Sequence, residues 1–241
     1  MLRSSDVCVV VPCHNEVEHI FYLVQEIRGL GFPIIVINDG STDPTRSMAE
    51  KSGATVLNHP RARGKGAAIQ TGLQHVLDSG YRFAILMDGD QQHSPRDLAA
   101  FMEVSEDCKL VIGNRMNPNR SMPWLRRIVN KWMSNRLSNL TGFPLPDSQC
   151  GYRRIELETW KRLNLQTTHF EAESEMACEF VRATCYPIFI PIEVIYKKEK
   201  SKIRPIADSR RWFSWYFRYS RNWRHSTPAT VRCSSSLSEI Q

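Results

Sequence analysis

Four short apolar runs, each followed by a cluster of polar residues, constrain this chain more than any other feature. They are Val7-Cys8-Val9-Val10-Val11, Pro33-Ile34-Ile35-Val36-Ile37, Ala54-Thr55-Val56-Leu57 and residues 82–87. Continuous β-branched runs without alternation suit strands buried on both faces, as in a parallel sheet. Between them lie stretches with helical spacing. Ile20, Leu23, Val24 and Ile27 recur within residues 16–30, closed by Gly29 and Gly31; further helices are expected from about Pro44 and over 67–79. This alternation predicts right-handed β-α-β units and an α/β fold, with a Rossmann-like, mostly parallel central sheet and helices on both faces. Each polar cluster sits just past a strand's C-terminal end, the edge where open α/β sheets bind ligands.

Beyond residue 110 the pattern loosens. A fifth strand is expected at Leu110-Val111-Ile112, a long helix over 124–140, a helix over 173–184 and a strand over 188–196. The seven cysteines are odd in number, scattered and without a C-x-x-C pair, so reduced thiols are expected and neither a disulfide framework nor a zinc site. No apolar run reaches the roughly 18–20 residues that cross a bilayer. The first residues lack the pattern of a signal peptide, so the expected location is cytoplasmic.

The acidic cluster Asp88-Gly89-Asp90-Gln91-Gln92-His93 places oxygen donors on alternate residues, Asp88, Asp90 and Gln92. Mg2+ or Mn2+ is commonly held by one or two carboxylates, with substrate phosphates and water completing the shell. Such a metal would neutralise a departing diphosphate. A solvated capping turn is the plainer reading of a lone D-x-D. Its place beside three further clusters at one sheet edge favours the metal. Asp39, in Asn38-Asp39-Gly40-Ser41-Thr42-Asp43, can accept hydrogen bonds from a ribose or base, and Asp43 or Ser41 can cap the next helix. Arg61-Ala62-Arg63-Gly64-Lys65-Gly66 offers backbone N–H groups and cations ahead of a helix, an anion site without P-loop spacing.

Taken in order over residues 7–208, these stretches resemble family 2 glycosyltransferases of the polyprenyl- or dolichyl-phosphate sugar synthase type. Gly113-Asn114-Arg115, Asp147-Ser148-Gln149-Cys150-Gly151-Tyr152-Arg153, Glu173-Ser174-Glu175-Met176 and Lys200-Ser201-Lys202 extend the match. The resemblance implies a GT-A fold over 1–205, with a nucleotide-sugar half to about 113 and an acceptor half from about 114. It implies that Pro12, Asn15, Glu16 and Asp39 hold the nucleoside, with Lys65 and Gly66 nearby and Asp88 and Asp90 at the donor. Asp88, Asp90 and Gln92 would bind Mg2+ or Mn2+, and Arg115, Arg126, Lys202 and Arg204 an acceptor phosphate. It implies an inverting transfer of a hexose from GDP-mannose or a UDP-sugar. Asp90 and Arg115 are the expected catalytic residues. Glu175 or Asp147 would be the base if the acceptor were a sugar hydroxyl.

Between Lys197 and Arg224, ten Lys or Arg face only Glu199 and Asp208, a local +8 in a chain whose net charge is +7. Residues 206–225 interleave these cations with aromatics, which suits an interfacial helix at the cytoplasmic face of a membrane or a contact with a membrane partner subunit. The plainer reading is a helix that packs its aromatics onto the domain. Residues 226–241 read as a disordered tail. A basic nucleic-acid-binding or scaffold protein is the non-enzyme alternative, and it leaves the acidic cluster unexplained.

Overall fold

A computed structural model describes residues 2–116, 122–195 and 205–223. In chain order it contains β1 (Val7–Cys13), α1 (Ile20–Gly29), β2 (Ile34–Asp39), α2 (Thr45–Lys51), β3 (Thr55–His59), α3 (Lys65–Asp78), β4 (Phe83–Leu86) and α4 (Leu98–Glu103). Then follow β5 (Leu110–Asn114), α5 (Trp124–Thr141), β6 (Arg153–Glu156), α6 (Leu157–Lys161), α7 (Glu171–Arg182), β7 (Ile188–Pro191) and α8 (Pro205–Trp223). The strands form one sheet in the order β3-β2-β1-β4-β6-β5-β7. Only β6 runs against the others, pairing antiparallel with both β4 and β5.

All seven residues of β1 are buried. Successive side chains of a strand point to opposite faces, so both faces of the sheet are covered at its centre. On α1 the expected stripe, Ile20, Leu23, Val24 and Ile27, is fully buried. β1 extends through Pro12 instead of stopping there. Its pairing with β4 ends at Val10, so the N–H that proline lacks is not needed on that side. The first helix begins at Ile20 rather than near 16, because Thr45 Oγ1 and Asp43 Oδ2 accept from the N–H groups of Glu16 and Val17 in a turn. The free thiols include Cys8, Cys13, Cys108, Cys150 and Cys178.

β6 was not legible as a strand, since Arg153-Arg154-Ile155-Glu156 has the composition of a surface segment. Both arginines are nonetheless fully buried. Arg154 donates to the carbonyls of Phe101, Val104 and Ser105, and Arg153 to those of Cys150, Ser148 and Glu173. A guanidinium can enter a core when its fork meets fixed carbonyls, which replace the water it loses. The reversed strand matters for function. Its starting end lies at the C-terminal edge of the parallel strands, so the loop over 147–152 is delivered to the clusters anticipated there.

Candidate active site

At that edge the first two loops are tied together. Asn15 donates from its N–H to Ser41 Oγ at 2.9 Å and accepts from Thr42 N–H at 2.8 Å. It does so in the left-handed region, φ 56°, which asparagine tolerates better than most residues. Glu16 and Pro12 are buried beside it, and Gly89 packs without a side chain against Cys13 and Glu16. The β1 loop and the acidic loop therefore touch.

Asp39 is the anchor of the basic loop. Its carboxylate accepts from Arg63 N–H and Gly64 N–H, each at 2.8 Å, and lies 2.7 Å from His59 Nδ1. The backbone nest read in the sequence as an anion site is thus filled by an anion of the chain itself. Gly40 sits where this loop crosses, at φ 63°, and a Cβ there would run into the backbone of Arg61 and Ala62. Gly40→Ala is expected to destabilise the protein by about 2–4 kcal/mol, combining strain with a backbone clash. Urea unfolding checks this, and a loss below about 0.5 kcal/mol would contradict it.

The acidic cluster follows β4. Asp88 Oδ1 lies 2.6 Å from Lys65 Nζ, and the same ammonium lies 2.7 Å from Glu173 Oε1. Burial pushes the Asp88 carboxyl up, but the Lys65 ammonium, together with His93 and Arg115, outweighs it and brings the group down to about 2. Burial likewise opposes the Lys65 charge, yet Asp88 and Glu173 raise its pKa overall. Asp90 Oδ1 accepts from Gln92 N–H, closing a turn that holds Gln91 at φ 54°. Gln92 Oε1 in turn lies 3.5 Å from an Arg126 Nη1 reaching down from α5. His93 is buried, stacked on Tyr152 with centroids 5.1 Å apart, and its Nδ1 lacks a partner. Burial lowers its pKa, against the pull of Asp88 and Asp90.

Arg115, just past β5, meets Asp147 from the loop ahead of β6. Asp147 is fully buried and accepts from Arg115 N–H, Nε and Nη2 at 2.8–2.9 Å. Arg153 ties the same loop to the first turn of α7 through the carbonyls of Ser148 and Glu173.

Most of the anticipated residues thus share one sheet edge. Glu175 is a correction: its oxygens accept from Gln166 N–H, Thr167 N–H and Thr167 Oγ1, so it braces a loop instead of standing beside Asp88. The acid that does stand there is Glu173, two positions earlier and so about 200° round the helix. Nothing in the local string Glu173-Ser174-Glu175 told the two apart. Lys202 and Arg204 lie outside the described residues.

The sequence profile of the family described as Glycosyl transferase family 2 matches residues 8–162. The chain belongs to this family. As a glycosyltransferase it is an enzyme, and the non-enzyme alternative falls away. It is 28% identical over 169 residues to the polyprenol monophosphomannose synthase of Mycolicibacterium smegmatis, covering 65% of this chain and 64% of that one. It is 26% identical over 213 residues to the UDP-N-acetylglucosamine–dolichyl-phosphate N-acetylglucosaminyltransferase of Methanococcus voltae, covering 78% and 85%. Glucosyl-3-phosphoglycerate synthase from Mycobacterium tuberculosis, solved with Mn2+, UDP-glucose and phosphoglyceric acid, superposes with a TM-score of 0.69. The two are 19% identical over 89% of this chain and 79% of that one, a likeness of fold. The fold of this glycosyltransferase is therefore GT-A.

The C-terminal helix of the glycosyltransferase divides its aromatics. Trp212, Trp215 and Tyr219 are buried, with Trp212 Nε1 donating to Ser174 Oγ and Tyr219 Oη to Glu179 Oε1 on α7. The packing reading holds for these. Phe213 and Phe217 face outward, and Phe213 lies 5.4 Å from Trp132 of α5. The outer face of α5 is apolar as well: Trp124, Leu125, Ile128, Val129 and Trp132 are all exposed, Trp124 by 72%. Their spacing puts them on one stripe of the helix. Exposed Arg210, Arg211 and Arg218 rise from α8, Lys131 from α5, and Arg136 lies 5.2 Å over the Trp132 ring. Among the described residues no helix is long and apolar enough to cross a membrane.

Proposed function

We propose that this glycosyltransferase moves a hexose from a nucleotide-sugar, GDP-mannose or a UDP-sugar, to a polyprenyl or dolichyl phosphate, with inversion and with Mg2+ or Mn2+ as cofactor. The observation that carries this reading is the placement of Asp88, Asp90 and Gln92 at the C-terminal sheet edge, linked through Arg126 to the exposed apolar stripe of α5. A lipid phosphate has the matching chemistry, an anionic head that needs cations and a tail that needs apolar surface.

The donor set fits a hard divalent cation. It comprises two carboxylates and an amide oxygen, all oxygen donors of the kind such a cation takes. Such a set leaves positions for diphosphate oxygens. Bound there, the metal would offset the negative charge of the leaving diphosphate. The chain's own residues do the rest. Asn15, Glu16 and Pro12 frame the nucleoside pocket, while Asp39 fixes the loop that carries Lys65 and Gly66. Arg115, held rigid by Asp147, and Arg126 orient the acceptor phosphate, with Lys202 and Arg204 as further candidates. An ionised phosphate attacks without a strong base, so positioning and electrostatics supply most of the rate. The donor half reaches about residue 113 and the acceptor half about residue 205.

A second reading, transfer to a hydroxyl, draws on Glu173, whose buried Oε2 has no partner. That carboxylate could take the hydroxyl proton once Lys65 moves away. Assay of labelled GDP-mannose, UDP-glucose and UDP-N-acetylglucosamine against dolichyl phosphate, undecaprenyl phosphate and 3-phosphoglycerate decides between them. Product on a lipid phosphate is expected, and product on the hydroxyl acceptor only would contradict the proposal.

The α5 stripe and the outer aromatics of α8 form the surface that would rest on the cytoplasmic membrane face, with the arginines toward anionic headgroups. Leu125→Asp with Ile128→Asp removes two exposed apolar side chains, each contributing about 1.5–3 kcal/mol when buried in lipid. Binding to phosphatidylglycerol-containing vesicles is expected to fall by about a hundredfold or more with melting behaviour unchanged. Sedimentation of the double variant and wild type with such vesicles measures it, and equal binding would contradict this surface.

A further inference from the structure

The Lys65 ammonium occupies the position from which a cation would most strongly engage Asp88. It lies 2.6 Å from Asp88 Oδ1 and 2.7 Å from Glu173 Oε1. The other side of this pair is closed by backbone: a Cβ on Gly151 would stand 2.9 and 3.0 Å from the two Asp88 oxygens and 3.1 Å from Lys65 Nζ. Phe170 covers the ammonium from a third direction, with its ring centroid 5.7 Å away. A half-buried carboxylate wedged against Gly151 cannot hold both this ammonium and a divalent ion at close range without strong mutual repulsion. A nucleoside diphosphate changes that balance, since its several negative charges attract both cations and give Lys65 a second partner.

We propose that Lys65 is a built-in competitor for the metal at Asp88, so that divalent cation and nucleoside diphosphate bind with strong mutual cooperativity, and that Glu173 is the positioning residue that holds Lys65 during the exchange. The inference rests on the metal-dependent reading above and adds the order of events to it. Without nucleotide, Lys65 shields Asp88 and metal binds weakly. With nucleotide, Lys65 turns from Asp88 toward the diphosphate and leaves that carboxylate open to a divalent cation. Linkage requires the metal to strengthen nucleotide binding by the same factor. Glu173 keeps the ammonium beside the site throughout. Its unpartnered, buried Oε2 leaves it able to take more of the ammonium as Asp88 releases it.

The test is Mn2+ binding followed by the electron paramagnetic resonance of free Mn2+, with Mn2+ alone and with Mn2+ plus UDP or GDP. In the wild type, the better of the two nucleotides is expected to raise Mn2+ affinity by about tenfold or more, within the usual range of coupling between sites. Lys65→Met is expected to bind Mn2+ alone about tenfold more tightly than wild type and to lose most of the nucleotide-driven gain. Glu173→Gln leaves Lys65 paired with Asp88 as its one full counter-charge, so Mn2+ alone should bind several-fold more weakly than to wild type. A folded Lys65→Met whose affinity for Mn2+ alone equals that of wild type overturns the proposal. Should Lys65→Met not fold, an unchanged Mn2+ affinity in Glu173→Gln overturns it instead. If wild type takes up no Mn2+ even with UDP and GDP, the metal-dependent reading fails, and the competition fails with it.

Discussion

Asp90→Ala is expected to lower the rate of sugar transfer by about a thousandfold or more while leaving the protein folded. Asp90 carries one of the two carboxylates of the candidate metal set, and losing it halves the anionic charge that such a cation needs. Its structural contribution is small by comparison. One oxygen accepts a single hydrogen bond, from Gln92 N–H at 3.0 Å, and the residue is partly exposed. A hydrogen bond of that kind is worth about 1 kcal/mol. Asp90→Asn separates the two roles, since the amide oxygen can keep the turn while the charge is gone. Transfer assays with circular dichroism melting on both variants provide the measurement. A thousandfold loss in both, with melting close to wild type, is the expected result. Unfolding of both, or activity retained in Asn, would make Asp90 a turn residue.

The largest expected loss of stability is at Asp147. Its side chain is fully buried and accepts from Arg115 through three donors, so Asp147→Ala removes that carboxylate and leaves a cavity where the three hydrogen bonds were. Breaking a buried pair from one side costs about 3–5 kcal/mol, a large part of the 5–15 kcal/mol that holds a typical domain together. Urea unfolding should show the loss, and transfer should fall with it because Arg115 is no longer aimed. Arg115→Lys tests the geometry separately. A point charge cannot reproduce a two-pronged contact, so the variant should fold with reduced stability and weaker acceptor binding. A change below about 1 kcal/mol in Asp147→Ala would mean that water reaches the pair and that the site is not preorganised.

The parts legible in the sequence share a physical cause. β1, β2 and β4 are apolar because both their faces are buried, and the polar clusters stand out because the chain leaves the sheet at those points. Asp39, Asp88 and Asn15 could therefore be placed at one edge from the string of residues. What stayed hidden is set by partners distant in sequence. Arg153 and Arg154 look like surface residues until the carbonyls that surround them are known, so β6 could not be read as a strand. Its reversal is what carries Asp147 to Arg115. Glu173 and Glu175 differ only in which side of α7 they occupy, and that side is fixed by packing against α3 and the loop over 166–168. The basic loop was read as an anion site, and the anion proved to be Asp39. The apolar stripe of α5 was present in the sequence as Trp124, Leu125, Ile128, Val129 and Trp132, yet it has the spacing of an ordinary core-facing helix. Only the fold reveals that this face is exposed.

The central claim, a nucleotide-sugar site completed by a divalent metal, is tested most directly by calorimetry of nucleotide-sugars with and without Mn2+. GDP-mannose, UDP-glucose and UDP-N-acetylglucosamine should be screened against wild type and Asp90→Ala. At least one of them is predicted to bind wild type with Mn2+ present, to bind about tenfold or more weakly when the metal is chelated, and to lose that dependence in the variant. Binding that is indifferent to metal in wild type, or no binding of any of the three, would contradict the account.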